Sequence, residues 1–517
     1  MAHFSRRTFL GVAAAGVIRA EKAPVASAAC GHLRGSAGPQ GLAVFKGIPY
    51  ARAERFRPPV PANSWTGVRD ALAAGPIAPQ NDDGTGIAAL PQSEDCLHLN
   101  VWTPALDGAR RPVLFYIHGG AFANGAGSSS ALDGSTLALN ENVVVVTINY
   151  RLGVLGFPPF EVYPGVPRNL GLLDQIAALE WVRDNITAFG GDSGNVTIFG
   201  LSAGGWSTIA LMVMPQARNL FHRAAPESPA FQYAADEEHQ AINSGVFLKS
   251  IGARRGADAA NRPIADLLRA QQATVDAHHA SLLAEPWHEM HGFPFIPVQD
   301  GITLKDDPLH LMQQGAAAAV PMLAGGTAGE IGACPFRMAV KWLAALHEKD
   351  RLLQALKHAT PRDAAQIYQG YIEAKPGATE AQIGGYLRSD WQYRIPMLRS
   401  AEAHARHNPV WVYDFAYPAP SPNIGIATHA FDTAFWFGNI TGSGLSKFFF
   451  GRAPNDAEMA LSREMQRDFA AFARLGRASW NAYDTRSRWT KSYDIPQTSI
   501  VADPRGAERR LWDSAPL

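Results

Sequence analysis

The chain of 517 residues has few cysteines, no excess of either charge and no long apolar run. Its three cysteines fit neither a disulfide framework nor a metal site, so we expect them to be structural bystanders. Lysine plus arginine equals aspartate plus glutamate at 46 each, and the paired basic residues are scattered. This balance gives no support for a nucleic-acid partner. No apolar segment approaches the length of a membrane span, so we expect no integral membrane span.

The first thirty residues differ in kind from the rest of the chain. A twin-arginine sequence at 5–10 precedes a short apolar stretch at 11–18, and the small residues at 26–28 are what a signal peptidase requires. We therefore predict a twin-arginine export signal over 1–29 and a periplasmic or secreted bacterial protein. A short amphipathic helix is the alternative, because charged residues follow the apolar stretch. A lipid-anchored Cys30 is disfavoured, since the residue three places earlier is small.

Apolar runs of strand length alternate with helical patterns through much of the chain. The unbroken runs at 113–117 and 143–148 are typical of strands that are covered on both faces. Residues 170–185 carry apolar side chains at helical spacing. Further strand-like runs occur at 42–45, 196–199, 295–298, 320–325 and 409–415. The alternation predicts an α/β fold with a largely parallel central sheet.

The length allows either one large catalytic domain or two to three smaller ones. No internal repeat and no low-complexity linker divides the chain, so we expect a single catalytic domain over 30–517. Two mostly helical insertions, near 235–290 and 335–407, interrupt the strand pattern. We expect them to lie above the strand ends as a cap over a site.

The sequence Gly-Leu-Ser-Ala-Gly at 200–204 fits the pattern G-x-S-x-G. A strand-like run at 196–199 precedes it and a helical pattern starts at Gly205, which is the context of a nucleophile elbow. In that turn the hydroxyl of Ser202 is lifted clear of the sheet edge, and the glycines let strand and helix pack closely. The segment therefore predicts a serine hydrolase with Ser202 as the nucleophile.

Acyl transfer also needs hydrogen-bond donors for the negatively charged oxygen that forms during the reaction. The sequence His-Gly-Gly-Ala-Phe at 118–122 follows a predicted strand, and its small residues allow backbone N–H groups to point inward. We expect the oxyanion donors to be Gly120, Ala121 and Ala203. A phosphate-binding loop is excluded, because no Gly-Lys-Ser or Gly-Lys-Thr follows.

A serine nucleophile passes its proton to a histidine that a carboxylate orients. His429 lies in a loop after the predicted strand 409–415, and Glu330 lies in a glycine-rich loop after the run at 320–325. The order serine, acid, histidine is the one expected for this fold. Chain order alone does not exclude the other histidines, of which the sequence has 16 in all.

Two histidine pairs, His288 with His291 and His404 with His407, raise the question of a metal. The first pair is one residue short of the H-E-x-x-H spacing that zinc proteases use. We therefore expect surface or cap histidines and no metal site. No nucleotide-binding motif is present and a serine triad needs no cofactor, so none is expected.

The chain resembles the type-B carboxylesterases, the α/β-hydrolase family that includes cholinesterases and bacterial para-nitrobenzyl esterases. The resemblance spans nearly the whole chain after the export signal. It runs through segments at 45–51, 93–102, 118–122, 149–157, 169–175, 189–192 and 297–301. It implies an α/β-hydrolase fold with Glu330 as the acid and His429 as the base. It further implies that Arg151 with Asp174, and Arg55 with Glu94, are structural ion pairs.

The departures from the family pattern bear on the site. Leu201 stands before the nucleophile where the family often has glutamate, which removes a negative charge and argues against choline esters. Cys96 matches a family cysteine whose usual partner position is Ala78, so that disulfide cannot form. Glu227 and Ser228 stand where the family has Gln-Ser, with proline in place of the next glycine, which leaves the supporting role of Ser228 open.

The expected function is therefore hydrolysis of small, hydrophobic carboxylic esters through an acyl-enzyme. An amidase or carbamate hydrolase with the same triad, and a non-catalytic binding protein, are the alternatives. We expect apolar side chains to line the substrate gorge, although ordinary core packing would also explain the aromatic ones. These side chains are Phe122, Leu201, Phe336, Phe431 and Trp436.

Overall fold

The computed structural model describes residues 23–229, 237–284, 293–317, 319–333, 348–360, 364–442 and 444–513. Its strands are β1 Val25–Ala28, β2 Gly31–Arg34, β3 Ser36–Ala37, β4 Ala43–Pro49, β5 Ala51–Arg52, β6 Val60–Pro61, β7 Val68–Asp70, β8 His98–Thr103, β9 Arg111–Ile117, β10 Val144–Ile148, β11 Gly191–Leu201, β12 Arg223–Glu227, β13 Met322–Thr327, β14 Val410–Phe415, β15 Trp489–Tyr493 and β16 Ser499–Ala502.

Its helices are α1 Ser135–Glu141, α2 Gly153–Gly156, α3 Leu170–Asn185, α4 Ala203–Val213, α5 Glu237–Ser250, α6 Ile264–Ala284, α7 Pro308–Gln313, α8 Lys349–Ala359, α9 Ala364–Ala374, α10 Glu380–Ser389, α11 Ile395–Ala405, α12 Phe431–Phe437, α13 Gly444–Phe450, α14 Asp456–Leu475 and α15 Gly506–Arg510. A π-helical turn, Asp390–Arg394, joins α10 to α11. Among the described residues, no helix combines the length and apolar character that crossing a membrane requires.

Eleven strands of the described residues form one sheet in the order β16-β15-β14-β13-β12-β11-β9-β10-β8-β4-β3. The strands from β10 to β15 in this order are parallel to one another, and the strands beyond them pair antiparallel. Helices lie on both faces of this mostly parallel sheet, as the sequence predicts. The α/β-hydrolase fold is therefore confirmed.

The alternation of side chains along β9 shows why the strand is apolar throughout. Phe115 packs in one hydrophobic cluster, which includes residues of α3 and α4. Its neighbours Leu114 and Tyr116 pack in a second cluster, which includes residues of α12 and α14. Successive side chains of a strand point to opposite faces of the sheet, so both faces are buried and neither tolerates a polar stripe.

The helix predicted over 170–185 is found with those bounds. The run at 295–298 was predicted as a strand, and this prediction is wrong, because the segment joins no strand of the described sheet. The side chain of Asn169 instead donates to the carbonyl of Val298 at 2.7 Å and accepts from its N–H at 2.8 Å. The side-chain amide of Asn169 thus pairs both backbone groups of Val298.

Both predicted insertions are helical where the structure describes them, as α5 and α6 in the first and α8 to α11 in the second. Residues 334–347, at the start of the second, lie outside the described residues. So do residues 1–22 of the predicted export signal. Its last residues are described, and Val25–Ala28 pairs antiparallel with β2 while Ala26 is buried. The predicted boundary at residue 29 therefore falls in the turn between β1 and β2 and would separate these two paired strands.

Candidate active site

Ser202 occupies the sharp turn between β11 and α4. Its backbone has φ 58° and ψ −117°, a conformation that is strained for a residue with a side chain. Two hydrogen bonds hold it: its N–H donates to the carbonyl of Glu227 at 2.9 Å, and its carbonyl accepts from the N–H of Trp206 at 2.8 Å. The surrounding fold therefore compensates the strain at the predicted nucleophile, which is the geometry of a nucleophile elbow.

The glycines of the elbow are required by close packing against β9. A Cβ atom on Gly204 would lie 2.0 Å from the carbonyl oxygen of Ile117, and one on Gly200 would lie 2.5 Å from the same oxygen. No larger residue fits at either position without moving the strand. The pattern G-x-S-x-G is thus explained by the approach of the turn to its neighbouring strand.

The loop 118–122 lies directly against the elbow. A Cβ atom on Gly119 would lie 3.2 Å from the Cβ of Ser202. Positive φ angles at Gly120 and Ala121, 114° and 53°, turn the backbone so that their N–H groups donate to no acceptor among the described residues. Ala203 is the first residue of α4, where N–H groups have no partner within the helix. The three predicted oxyanion donors therefore come from two adjoining segments.

The side chain of His118 anchors this loop from behind. Its ring stacks on Tyr150 with 4.4 Å between ring centroids, and the Tyr150 hydroxyl donates to the His118 carbonyl at 2.8 Å. Burial lowers the pKa of His118 from 6.5 to about 4. The imidazole is therefore neutral at physiological pH and places no positive charge behind the loop.

Glu330 and His429 are joined by a hydrogen bond of 2.5 Å between Oε2 and Nδ1. The other carboxylate oxygen, Oε1, accepts from the Ser228 hydroxyl at 2.7 Å and from the Thr327 N–H at 2.8 Å. The backbone N–H of His429 donates in turn to the backbone carbonyl of Glu330 at 2.8 Å. Both carboxylate oxygens of this buried group are thus satisfied, and one of them faces the imidazole.

Three further residues support this pair, and the sequence analysis missed them. The Thr428 hydroxyl donates to the Glu330 carbonyl at 3.1 Å. The Ser389 hydroxyl, at the end of α10, accepts from the N–H of Ile331 at 3.2 Å. The Tyr393 ring lies 4.8 Å from that of His429. Thr428 precedes the predicted base and could have been found from that position, whereas the other two belong to the second insertion, whose packing no local pattern reveals.

The sheet order brings the predicted residues to one edge. Ser202 follows β11, Glu330 follows β13 and His429 follows β14, and these parallel strands end at the same side of the sheet. Ser202 and His429 are 7% and 6% exposed, so both side chains are shielded from bulk water. Among the described residues the Ser202 hydroxyl has no hydrogen-bond partner. Catalytic hydrogen bonds are often long until substrate is bound.

The comparisons with known proteins agree with this geometry. Residues 22–505 match the carboxylesterase family. The chain belongs to that family. It is 36% identical to the para-nitrobenzyl esterase of Bacillus subtilis (strain 168), over 91% of this chain and 94% of that protein. It is 32% identical to the phenmedipham hydrolase of Pseudarthrobacter oxydans, over 94% and 96%.

Solved structures place this carboxylesterase in the same group. The crystal structure of a Geobacillus stearothermophilus carboxylesterase at pH 6.2 superposes with a TM-score of 0.81 at 35% identity, covering 95% of this chain and all of that one. A PNB esterase structure gives 0.80 at 34% identity, with 95% and 100% covered. The protein is a carboxylic ester hydrolase, as the sequence analysis expects.

Three of the aromatic residues that we expected in the gorge of this carboxylesterase, Phe122, Phe431 and Trp436, lie in its core. Phe122 and Phe431 have no exposed surface and Trp436 is 4% exposed. Phe122 packs against Phe157 and Trp206, and the other two pack within the aromatic cluster on the opposite face of the sheet. Core packing, the alternative reading of these residues, is the one that the structure favours. Leu201 is also buried, and Phe336 lies outside the described residues.

The ion pairs implied by the resemblance are present. Arg151 donates two side-chain hydrogen bonds to Asp174, at 2.8 and 2.7 Å, and both residues are buried. Arg55 and Glu94 form the second, more exposed pair. Cys96 is buried and free, in agreement with the missing disulfide partner.

The histidine pairs considered as metal ligands form no metal site among the described residues. Nε2 of His404 lies 2.8 Å from the carbonyl of Val320, while His288 and His291 lie outside the described residues. In the part of the chain that the structure describes, no cluster of three histidine, cysteine or acidic residues could hold a metal ion.

Proposed function

We propose that this carboxylesterase hydrolyses small hydrophobic esters through an acyl-enzyme formed on Ser202. The observation that carries the proposal is the hydrogen bond between Glu330 and His429, made at the same sheet edge as the strained turn of Ser202. A carboxylate that holds one ring nitrogen of an imidazole leaves the other nitrogen to accept a proton. The family's activity requires a nucleophile, and Ser202 is the residue whose backbone is built to present one.

In the first half of the reaction, the Ser202 oxygen attacks the ester carbonyl carbon while His429 takes the hydroxyl proton. The carbonyl oxygen becomes negatively charged and receives hydrogen bonds from the N–H groups of Gly120, Ala121 and Ala203. His429 then gives its proton to the departing alcohol, which leaves an acyl group on Ser202. Glu330 keeps the imidazole in the correct tautomer and stabilises its cation.

In the second half, water attacks the acyl carbon and His429 accepts the water proton. The acid is released when the Ser202 oxygen leaves and takes that proton back. No cofactor takes part in these steps.

The test is Ser202→Ala, compared with Ser207→Ala as the matched control. Ser207 is a buried serine five residues further along the chain, and its hydroxyl accepts from the Gln175 side chain at 3.1 Å. We expect the first variant to lose at least about ten-thousandfold in kcat on p-nitrophenyl esters, and the control to retain activity. An organophosphate should add its mass to the peptide that contains Ser202. Retained activity in Ser202→Ala would refute the proposal.

The esterase relatives do not favour the amidase or carbamate alternative, and Leu201 favours uncharged substrates over cationic ones. A direct test compares acetylcholine with 3,3-dimethylbutyl acetate, which has the same shape without the charge. We expect the neutral ester to be hydrolysed at least as fast, since the position before the nucleophile offers no carboxylate to a cation. A strong preference for the cationic ester would contradict this assignment.

We also propose that the protein is exported and acts in the periplasm or outside the cell. The twin-arginine sequence and the apolar stretch after it support this. Val25–Ala28 forms a strand that pairs with β2, which supports a mature chain that begins before this strand. When Arg6 and Arg7 are both replaced by lysine, we expect the enzyme not to be exported, so that its activity is found in the cytoplasmic fraction. N-terminal sequencing of the exported protein gives the cleavage site.

A further inference from the structure

Two buried carboxyl groups, those of Glu227 and Asp432, lie beneath the site and outside the triad. Glu227 ends β12, and its carbonyl oxygen accepts the N–H of Ser202. Asp432 lies three residues after His429, at the start of α12, and is joined to the base by a turn in which Ala430 has a φ of 69°. They are 3% and 0% exposed. One carboxyl is therefore attached to the nucleophile segment and the other to the base segment.

The hydrogen bonds of Glu227 account for only one of its two carboxyl oxygens. Oε1 accepts from the Thr433 hydroxyl at 2.8 Å. Oε2 is buried and receives no hydrogen bond from a donor among the described residues. Thr433 contacts both carboxyls, because its hydroxyl donates to Glu227 and its N–H donates to Oδ1 of Asp432 at 3.1 Å. After burial and the charge of Asp432, a hydrogen bond between the two carboxyls is a further cause that raises the pKa of Glu227. Two ionised carboxylates could not make that contact, because each would offer only acceptors.

The carboxylate oxygens of Asp432 also accept hydrogen bonds. The Tyr413 hydroxyl donates to Oδ2 at 3.0 Å, and the Thr433 N–H donates to Oδ1 at 3.1 Å. These two donors favour the ionised form of Asp432. The proton that the contact between the carboxyls requires is therefore better placed on Glu227, whose Oε2 is the atom without a donor.

The electrostatic surroundings agree with a retained proton. The charged and titratable groups that face the pair are Glu330, His429 and the phenols of Tyr116 and Tyr413. Burial, and then the neighbouring Asp432, raise the pKa of Glu227 well above its ordinary value. Burial, and then the neighbouring Glu330, raise the pKa of Asp432 to about 7. Like charges in a buried site cannot all ionise together.

We propose that Glu227 and Asp432 share one proton while the enzyme is active, and that this hydrogen bond holds the His429 turn against the segment that carries Ser202. The pair consists of positioning residues, since neither has been placed against substrate. The inference rests on the proposed triad, because the quantity that the pair controls is the alignment of His429 with Ser202. Misplacement of reacting groups by about 1 Å can cost about a hundredfold in rate.

Loss of the shared proton has a defined consequence. Two negative charges would then face each other in a buried site, and their repulsion would separate the segments that the pair joins. We therefore expect kcat to fall on the alkaline side of the pH profile when this proton leaves. His429 ionisation acts in the opposite direction, since a general base gains activity as it loses its proton.

The test uses Glu227→Gln, Glu227→Ala and a matched control, Glu508→Gln. Glutamine keeps the shape of the side chain and can place an N–H where Oε2 lies, which fixes the hydrogen bond to Asp432 without a titrating proton. Glu508 is a buried glutamate in α15 that pairs with Lys375 at 3.0 Å. It offers the same substitution away from the carboxyl pair.

We expect Glu227→Gln to keep activity within about tenfold of wild type and to extend the alkaline limb of kcat to higher pH. Glu227→Ala should lower kcat by about tenfold to a hundredfold with little change in KM. The control should keep the wild-type profile. Infrared difference spectra at neutral pH should show a carboxylic-acid carbonyl band in wild type that Glu227→Gln lacks.

The proposal is overturned if Glu227→Gln keeps the wild-type alkaline limb, or if no acid band is lost in that variant. The infrared result does not depend on turnover. It therefore separates failure of this inference from failure of the proposed triad, which Ser202→Ala tests.

Discussion

The Ser228 hydroxyl donates a 2.7 Å hydrogen bond to Oε1 of Glu330, the carboxylate oxygen that does not face His429. The sequence analysis left the role of Ser228 open, because the segment departs from the family pattern. The structure shows that the neighbouring substitutions preserve this contact. Ser228 therefore helps to fix the carboxylate that orients the imidazole.

Ser228→Ala removes this donor and leaves the Thr327 N–H as the remaining partner of Oε1. Hydrogen bonds to charged groups contribute about 1.5–3 kcal/mol, so we expect kcat to fall by about tenfold to a hundredfold. Steady-state kinetics on a p-nitrophenyl ester measure the effect. Ser400→Ala, at a buried serine that donates to the Met397 carbonyl, is the control and should keep wild-type kcat.

Gly204→Ala should abolish the elbow. The added Cβ would meet the Ile117 carbonyl oxygen at 2.0 Å, so either the turn or β9 must move. We expect little activity and no organophosphate labelling of Ser202. Gly245 lies in the helix Glu237–Ser250 with no atom within 4 Å of an added Cβ. Alanine there should stabilise the protein by up to about 1 kcal/mol and leave labelling intact.

Asp174→Ala should destabilise the fold by about 3–5 kcal/mol, because it leaves the buried Arg151 without its counter-charge. Urea denaturation measures the free energy of unfolding. Asp184→Ala is the comparison, since Asp184 pairs with Arg183 while both side chains are about half exposed. A similar loss in both variants would show that burial of the Arg151 pair does not matter.

The neutral His118 makes stability depend on pH. Its pKa is about 4 in the folded protein and near the ordinary 6.5 when unfolded, so the unfolded chain binds more protons between these values. Stability is therefore fully present above about pH 6.5 and falls as the pH decreases toward about 4. When the pH is lowered from about 7 to about 5, the free energy of unfolding should fall by about 2 kcal/mol more in wild type than in His118→Gln. An equal fall in the free energy of unfolding in both proteins would contradict the lowered pKa of buried His118.

Much of the fold could be predicted because the central strands and the helix Leu170–Asn185 are long and strongly patterned. The failure at 295–298 has a specific cause. The apolar run has the composition of a strand, but the backbone of Val298 pairs with the side chain of Asn169 and not with a strand of the sheet. Such a long-range contact leaves no local signal.

The site could be predicted where short motifs fix the backbone, as at Ser202 and Gly120. The substrate-facing side chains could not. Phe431 follows the base loop closely in sequence, yet its ring points into the aromatic core beside Phe415 and Phe435. Proximity in the chain does not determine the direction of a side chain. The Glu227 and Asp432 pair was missed because it forms only when two distant segments meet.

The parallel order of β11, β13 and β14 has a practical consequence for handling the enzyme. All three proposed triad residues leave the sheet at the carboxyl ends of these strands, so the loops at the amino ends face away from the chemistry. Gly194, near the start of β11, is exposed on that far side. A linker inserted there should let the protein be immobilised on a support with the strand ends that carry the triad turned away from that support.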